Sequence, residues 1–149
     1  MNISEHFSLK EFTHSEAAAR LGLDNTPGPI VTAYLKKTAV LVEQVRALLG
    51  KPIIVHSGYR SPQVNKAVGG VATSAHCRGL ACDFVCPQFG SPADVAREIQ
   101  KHAAEFDFDQ CILEYGWTHF ALGPPGVPWR QEFLTKKSAS SPYEKGICA

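Results

Sequence analysis

The apolar positions in the first third of the chain recur at the spacing of an α-helix. Between residues 31 and 49 they lie one or three residues apart, which predicts a helix with one apolar face that ends at Gly50. The positions are Val31, Tyr34, Leu35, Thr38, Leu41, Val42, Val45, Leu48 and Leu49. Two shorter helices are predicted before it, one beginning near residue 9 after the capping-box sequence Ser8-Leu9-Lys10-Glu11 and one over residues 15–21.

The remainder of the chain alternates between short apolar runs and helix starts. Strands are predicted over residues 52–56, 80–86, 110–115 and 118–122. Ser61-Pro62 and Ser91-Pro92 each combine an N-cap residue with proline at the first helical position, so they predict helices to about residues 68 and 104. This order of elements predicts an α+β fold, with a small, mainly antiparallel sheet flanked by helices.

Length and charge narrow the class of protein. A chain of 149 residues fits one domain, here residues 1–149, with a looser C-terminal tail at about 134–149. With 15 basic and 14 acidic residues and no apolar run of bilayer length, neither nucleic-acid binding nor membrane insertion is expected. The first residues show no secretory signal, so we expect synthesis in the cytoplasm, and we expect a monomer.

The cysteine count argues against a complete disulfide framework. The five are Cys77, Cys82, Cys86, Cys111 and Cys148, an odd number that we interpret as reduced and mostly buried thiols. A thiolate metal site at Cys77, Cys82 and Cys86 is the alternative, but the spacing matches no C-x-x-C pattern. A disulfide in an oxidising compartment also stays open.

One predicted strand carries a carboxylate where an apolar residue is expected. Asp83 lies between Cys82 and Phe84, and an unpaired ionised carboxylate would be costly to bury there. His76 precedes it by seven residues, with Gly79 allowing the chain to turn between them. A cation shared by His76 and Asp83 would offset the cost. With His119 as a third ligand, the set has the pattern of a catalytic zinc site, in which three protein ligands leave one coordination position open. We expect one zinc ion per chain, in a metal-site core that spans about residues 52–122.

Two further residues would supply the chemistry of peptide hydrolysis. If residues 115–118 form a four-residue hairpin loop, Glu114 and His119 become cross-strand neighbours on one face of the sheet. Glu114 would then act as the general base toward water. Arg60 follows the first predicted strand and would stabilise the oxyanion with its permanent charge.

Several short segments of the sequence together resemble a known family. They are Ser57-Gly58-Tyr59-Arg60-Ser61-Pro62, Asn65, Gly69-Gly70, Ser74-x-His76-x-x-Gly79-x-Ala81-x-Asp83 and Trp117-x-His119. Over residues 7–122 or so, the sequence resembles the M15 zinc D-Ala-D-Ala carboxypeptidases, nearest to their compact bacterial and phage branch. Several members carry the catalytic acid three residues before the last histidine, where this chain has Gly116.

The resemblance implies a hedgehog/DD-peptidase-like fold and a role for each residue of the active site. Zinc would be held by His76, Asp83 and His119, with Glu114 as acid/base and Arg60 polarising the carbonyl. Ser74 would donate a hydrogen bond either to the substrate or to a residue that holds the site in place. We expect Tyr59 and Trp117, together with Trp129, to form an aromatic wall around a short peptide.

Peptidoglycan stem peptides are the expected substrate. Both a carboxypeptidase and an endopeptidase would be compatible with this substrate. Because no secretory signal is found, we also consider a phage or prophage lysin that is released from the cytoplasm. The alternative is a non-catalytic zinc module acting in binding or in phage structure, because the same metal architecture resembles the signalling domain of hedgehog proteins. Glu114 and Arg60 favour the enzyme, since a binding module needs neither.

Overall fold

A computed structural model describes residues 1–148, which form five α-helices and one six-stranded sheet. The helices are α1 (Leu9–Thr13), α2 (Glu16–Leu21), α3 (Pro29–Leu49), α4 (Pro62–Ala67) and α5 (Pro92–Lys101). The strands are β1 (Ile54–Ser57), β2 (Ala81–Val85), β3 (Gln110–Leu113), β4 (Thr118–Ala121), β5 (Glu132–Thr135) and β6 (Glu144–Lys145). Short 3-10 helices lie at Ala75–Arg78 and Ala103–Glu105.

The sheet has the order β1-β2-β4-β3-β5-β6, and every pair is antiparallel except β3 with β5. The predicted α+β class with a small, mainly antiparallel sheet is therefore confirmed. Strand boundaries differ by a few residues from the prediction. The first strand begins at Ile54, because Pro52 has no N–H to donate to a ladder, and β3 ends at Leu113 where the hairpin loop begins.

Serine side chains set four of the five helix starts, as the sequence predicts. The hydroxyls of Ser8, Ser15, Ser61 and Ser91 each accept a backbone N–H of the first turn, which satisfies a donor that has no partner within the helix. α3 is the long amphipathic helix and ends at Gly50. None of the helices within residues 1–148 combines the length and the apolar character needed to cross a membrane.

The sheet separates a hydrophobic core from a polar face. Cys82 and Phe84 of β2 point into the core, which α3 and α5 cover. Because side chains alternate along a strand, Asp83 between them points to the opposite face. This alternation places the candidate site on the side of the sheet away from α3 and α5, and we call that side the site face.

Most of the cysteines are buried, as the sequence predicts. All five are free; Cys82, Cys86 and Cys111 are buried, whereas Cys77 is half-buried and Cys148 is exposed. Burial raises the pKa of the three buried thiols, so they remain protonated. The buried three therefore act as small apolar residues.

The C-terminal region is more ordered than its composition suggests. β5 pairs with β3 in parallel and β6 pairs with β5, so residues 132–145 widen the sheet by two strands. The carboxylate of Asp109 accepts three hydrogen bonds from Arg130, from its backbone N at 2.8 Å, Nε at 3.1 Å and Nη2 at 2.7 Å. This contact fixes the start of β5 beside β3.

Candidate metal centre

Three side chains that are far apart in sequence converge on the site face. His76, Asp83 and His119 are buried, and each offers one ligand atom within 4.8 Å of the others. Asp83 on β2 and His119 on β4 are direct cross-strand partners, which brings their side chains together on one face. His76 comes from the 3-10 helix Ala75–Arg78, which precedes β2.

A single oxygen of Asp83 lies between the two imidazoles. Its Oδ1 is 2.8 Å from Nδ1 of His119 and 3.2 Å from Nε2 of His76, and the two ring centroids are 5.2 Å apart. The other nitrogen of His76, Nδ1, is 2.6 Å from the carbonyl oxygen of Gly58. Because Nδ1 donates to that carbonyl, Nε2 faces the centre of the cluster and is the nitrogen that would bind a metal ion once it has lost its proton.

The electrostatics of the cluster keep Asp83 ionised. Burial by itself raises the pKa of this carboxyl, but the charge of His76 and the hydrogen bond from His119 outweigh it and hold the pKa well below its usual range. Two imidazoles and one carboxylate form a donor set that suits zinc and leaves a coordination position for a reactant. The residues of the cluster therefore fit a catalytic divalent metal.

Two features of the chain fix the 3-10 helix that carries His76. The hydroxyl of Ser74 accepts the backbone N–H of His76 at 3.2 Å, which caps the start of the turn. Gly79 ends it with φ 76°, and a Cβ at this position would lie 2.8 Å from the carbonyl oxygen of Val31. Glycine is therefore needed at residue 79 for both its backbone conformation and the space it leaves.

Arg60 and Ser74 lie together beside this turn. Nη2 of Arg60 donates to Oγ of Ser74 at 3.4 Å, and the backbone N of Arg60 donates to the carbonyl of His76 at 3.2 Å. Nε of Arg60 is buried and has no hydrogen-bond partner within the described part of the chain. A buried donor without a partner is uncommon in folded proteins, so this guanidinium is a candidate for a functional role.

Glu114 lies on the same face as His119, but its predicted pairing is wrong. Leu113 pairs with Thr118 and Ile112 with His119, so the loop covers residues 114–117 and Glu114 stands opposite Trp117. The predicted register is displaced by two residues from the observed one. A displacement by an even number keeps every side chain on its face, so the carboxylate still belongs to the site face.

The environment of Glu114 favours proton transfer. Oε2 accepts the indole N–H of Trp117 at 2.9 Å, which orients the carboxylate. Burial raises the pKa of Glu114, and the negative charge of Asp83 raises it further, against the opposing effect of His119 and Trp117. A carboxylate with a raised pKa is a better proton acceptor near neutral pH.

The predicted aromatic wall forms only in part. Trp117 is half-buried and contacts Tyr115 in an edge-to-face arrangement at 4.6 Å between ring centroids. Tyr59 is only 7% exposed and belongs to the hydrophobic core, because its segment is held down by hydrogen bonds to Phe12 and Asn25. Trp129 packs against Gly123, which follows the C-terminal end of β4. The hairpin loop with Trp117 precedes the other end of this strand, so Trp129 lies away from Trp117.

Two residues of the site region are not identified from sequence. Gly58 lies within the Ser57–Pro62 motif, yet nothing in the motif reveals that its carbonyl orients His76. Tyr143 stands far along the chain in a segment predicted to be loose, and it interacts with the charges of Glu114 and Asp83. Only the pairing of β6 with β5 and of β5 with β3 brings it to this side of the sheet.

Comparison with known families gives one match. A family model described as peptidase M15 matches residues 5–121, which include all three cluster residues as well as Arg60, Ser74 and Glu114. No curated protein matches the sequence.

Proposed function

This chain belongs to the peptidase M15 family, and from that premise we propose that it is a zinc metallopeptidase of bacterial peptidoglycan stem peptides. The observation that supports the proposal is the buried cluster of His76, Asp83 and His119 with an acid on the same face of the sheet. A buried His-Asp-His cluster alone would also suit a binding module. Glu114 and Arg60 beside it supply the groups that hydrolysis requires.

His76, Asp83 and His119 would hold the zinc ion. When bound, zinc would supply Lewis acidity, which polarises a peptide carbonyl and lowers the pKa of bound water to about 7. The hydrogen bond from His76 to Gly58 fixes the tautomer and the ring orientation that this role needs.

Glu114 would move the proton. Its carboxylate accepts a proton from the attacking water and then donates it to the nitrogen of the leaving amine, so the group returns to its starting state. Trp117 holds one carboxylate oxygen through its indole N–H, which leaves the other oxygen for the water.

Arg60 would bind the oxygen on which negative charge develops. Its permanent charge favours an oxyanion or a substrate carboxylate, and the hydroxyl of Ser74, which accepts from Nη2 of Arg60, offers a further hydrogen bond. Such a site suits short peptides with small side chains and nearby carboxylates. Stem peptides of peptidoglycan, built from alanine, glutamate and a diamino acid, have this chemistry.

The decisive experiment compares two substrates. Purified protein loaded with zinc is incubated with muropeptides and, separately, with casein, and the products are identified by mass spectrometry. We expect cleavage of muropeptides and negligible cleavage of casein. The mass of the product distinguishes a D,D-carboxypeptidase, which releases D-alanine, from an endopeptidase of the kind that phage lysins use.

Glu114→Gln is the matched control, because it keeps the size and polarity of the side chain but cannot take the proton. We expect zinc retained and turnover lower by about two to four orders of magnitude. Digestion of casein with muropeptides left intact would contradict the cell-wall substrate. Zinc binding without cleavage of either substrate would favour the binding module.

A further inference from the structure

The two C-terminal strands lie outside residues 5–121, which the family model matches, yet they extend the sheet on the side of Glu114. Leu113 of β3 pairs with Thr135 of β5, which pairs with Glu144 of β6. The backbone N of Lys136 donates to the carbonyl of Leu113 at 2.8 Å, so the ladder continues past Thr135. The next row of the same register consists of Glu114, Lys136 and Tyr143.

The side chains of this row belong to the site face. Ile112 pairs with His119 and with Leu134, so residues two positions further along, Glu114 and Lys136, share the face of His119. Tyr143 lies two positions before Lys145, which pairs with Leu134 on that same face. The sheet itself therefore aligns Tyr143 with the proposed base across a single intervening strand.

Tyr143 is held in place while its side chain remains accessible. Nζ of Lys136 lies 4.5 Å from the centroid of the Tyr143 ring and donates to the carbonyl of Ser141 at 2.7 Å. Nζ of Lys137 lies 3.5 Å from the carboxylate of Glu144, on the residue next to Tyr143. Even so, Tyr143 is 56% exposed, so its side chain can meet a ligand.

The charges around the phenol connect it to the site. Burial raises the pKa of Tyr143, and the charges of Glu114, Tyr115 and Asp83 raise it further. The hydroxyl therefore stays protonated at neutral pH and can donate a hydrogen bond. A neutral hydroxyl donor suits a carbonyl oxygen of a substrate.

We propose that Tyr143 is a substrate-binding residue of this site, one that donates a hydrogen bond to an oxygen of the stem peptide next to the bond that is cleaved. This inference rests on the proposed function. Tyr59 is buried and does not contribute to the predicted aromatic wall. In this proposal the wall consists of Tyr143, exposed Tyr115 and half-buried Trp117. The C-terminal strands thus contribute to substrate recognition in addition to extending the sheet.

The test measures steady-state hydrolysis of a purified disaccharide-pentapeptide muropeptide by the full-length, zinc-loaded protein. Tyr143→Phe removes only the hydroxyl, and Tyr143→Ala removes the ring. We expect Tyr143→Phe to raise KM about 3- to 10-fold, as for one lost hydrogen bond, with kcat within roughly twofold of wild type. Tyr143→Ala should raise KM further, and zinc content should stay unchanged in both.

Tyr34→Phe is the matched control. Tyr34 also lies under a lysine, with Nζ of Lys37 at 5.8 Å from its ring centroid, but it belongs to α3 on the core side of the sheet. The control should keep the wild-type KM. A wild-type KM in Tyr143→Phe, with an active parent enzyme, would overturn the inference alone, whatever the KM of Tyr143→Ala. A wild-type protein that binds zinc but neither binds nor cleaves the muropeptide would overturn the proposed function, and this inference with it.

Discussion

At the scale of single residues, Asp83 determines the character of the site. A carboxylate in the middle of a buried strand is costly unless positive or hydrogen-bonding groups surround it. Here His76 and His119 approach the same oxygen, at 3.2 and 2.8 Å, and they keep the carboxyl ionised despite its burial. Side chains arranged in this way are prepared for a cation, because the negative charge is already present and oriented.

The first prediction concerns the ligands. Wild-type protein should bind about one zinc ion per chain, and His76→Ala, Asp83→Ala and His119→Ala should each lose most of it, because each removes one of three donors. Metal content is measured by elemental analysis after dialysis against a weak chelator. His102→Ala is the control, since His102 lies at the C-terminus of α5, where its ring contacts Glu98 and Glu105. Wild-type zinc content in all three variants would contradict the assignment.

At the scale of secondary-structure elements, the end of β1 positions the turn that carries His76. The carbonyl of Gly58 accepts the hydrogen bond from His76, while α1 packs closely against the same glycine. A Cβ on Gly58 would collide with the carbonyl oxygen of Phe12 and lie 2.9 Å from its Cα. The close packing of α1 on this backbone thus fixes a metal ligand indirectly.

The second prediction follows from this contact. Gly58→Ala should destabilise the protein by about 1–3 kcal/mol through overpacking. It should also weaken zinc binding roughly 10- to 100-fold, because the carbonyl that orients His76 moves. Denaturant unfolding and a competitive zinc titration measure the two effects. Gly28→Ala is the control, since a Cβ there meets no atom within 4 Å. Equal zinc affinity in Gly58→Ala and wild type would show that the carbonyl does not orient the ligand.

A second contact between elements fixes β5 to β3. The pKa of Asp109 is lowered mainly by its hydrogen bonds from Arg130, which outweigh the effect of burial. A carboxyl whose pKa is lower in the folded state than in the unfolded state, where it is about 3.9, stabilises the folded protein at pH values above about 3.9. This stabilisation is lost as the pH falls through the pKa of the folded state.

The third prediction uses this pH dependence. Asp109→Asn should lower the free energy of unfolding at pH 7 by about 1–3 kcal/mol, because it breaks hydrogen bonds to a charged group. The difference from wild type should shrink as the pH falls below about 3.9, because the carboxyl of the unfolded wild-type chain then takes up a proton before that of the folded protein. Urea unfolding at pH 7 and pH 3 measures it, with exposed Asp107→Asn as the control. A difference that is the same at both pH values would exclude the ionised carboxylate as its cause.

At the scale of the whole molecule, one sheet performs two tasks. Its core face carries residues such as Phe84, Cys111 and Phe120, which pack under α3 and α5. Its site face carries Asp83, His119 and Glu114, and the segment of residues 58 to 79 brings His76 against Asp83. The three cluster residues come from β2, β4 and the 3-10 helix and converge only when the sheet has formed, so we predict that metal binding is coupled to folding.

The fourth prediction tests this coupling. Zinc at about 100 times its dissociation constant should stabilise the folded protein by about 2.7 kcal/mol, provided that the unfolded chain does not bind it. For a domain of this size the midpoint of thermal unfolding should rise by about 5–10 °C. Magnesium at the same concentration should have no effect, because two imidazoles suit zinc and not magnesium. A zinc-induced increase that persists in Asp83→Ala would place the binding site elsewhere.

The sequence by itself determined the local features of this protein. Serine caps predict where four helices begin, and strand alternation predicts that Asp83 faces away from Cys82 and the core. These features follow from hydrogen bonds within one turn and from the two-residue period of a strand, which a short stretch of chain contains entirely. Asp83 within an apolar strand is such a local signal, whereas His76 and His119 are predicted from the spaced motif and its resemblance to a family.

Only the tertiary structure decided the contacts between distant segments. The register of β3 and β4 places Glu114 opposite Trp117, the packing of α1 brings the Gly58 carbonyl to His76, and the pairing of β5 and β6 brings Tyr143 beside the site. Tyr59 is buried for the same kind of reason, because distant residues hold its backbone. Each of these contacts depends on the free energy of joining segments that are far apart along the chain, and no local pattern of residues specifies that free energy.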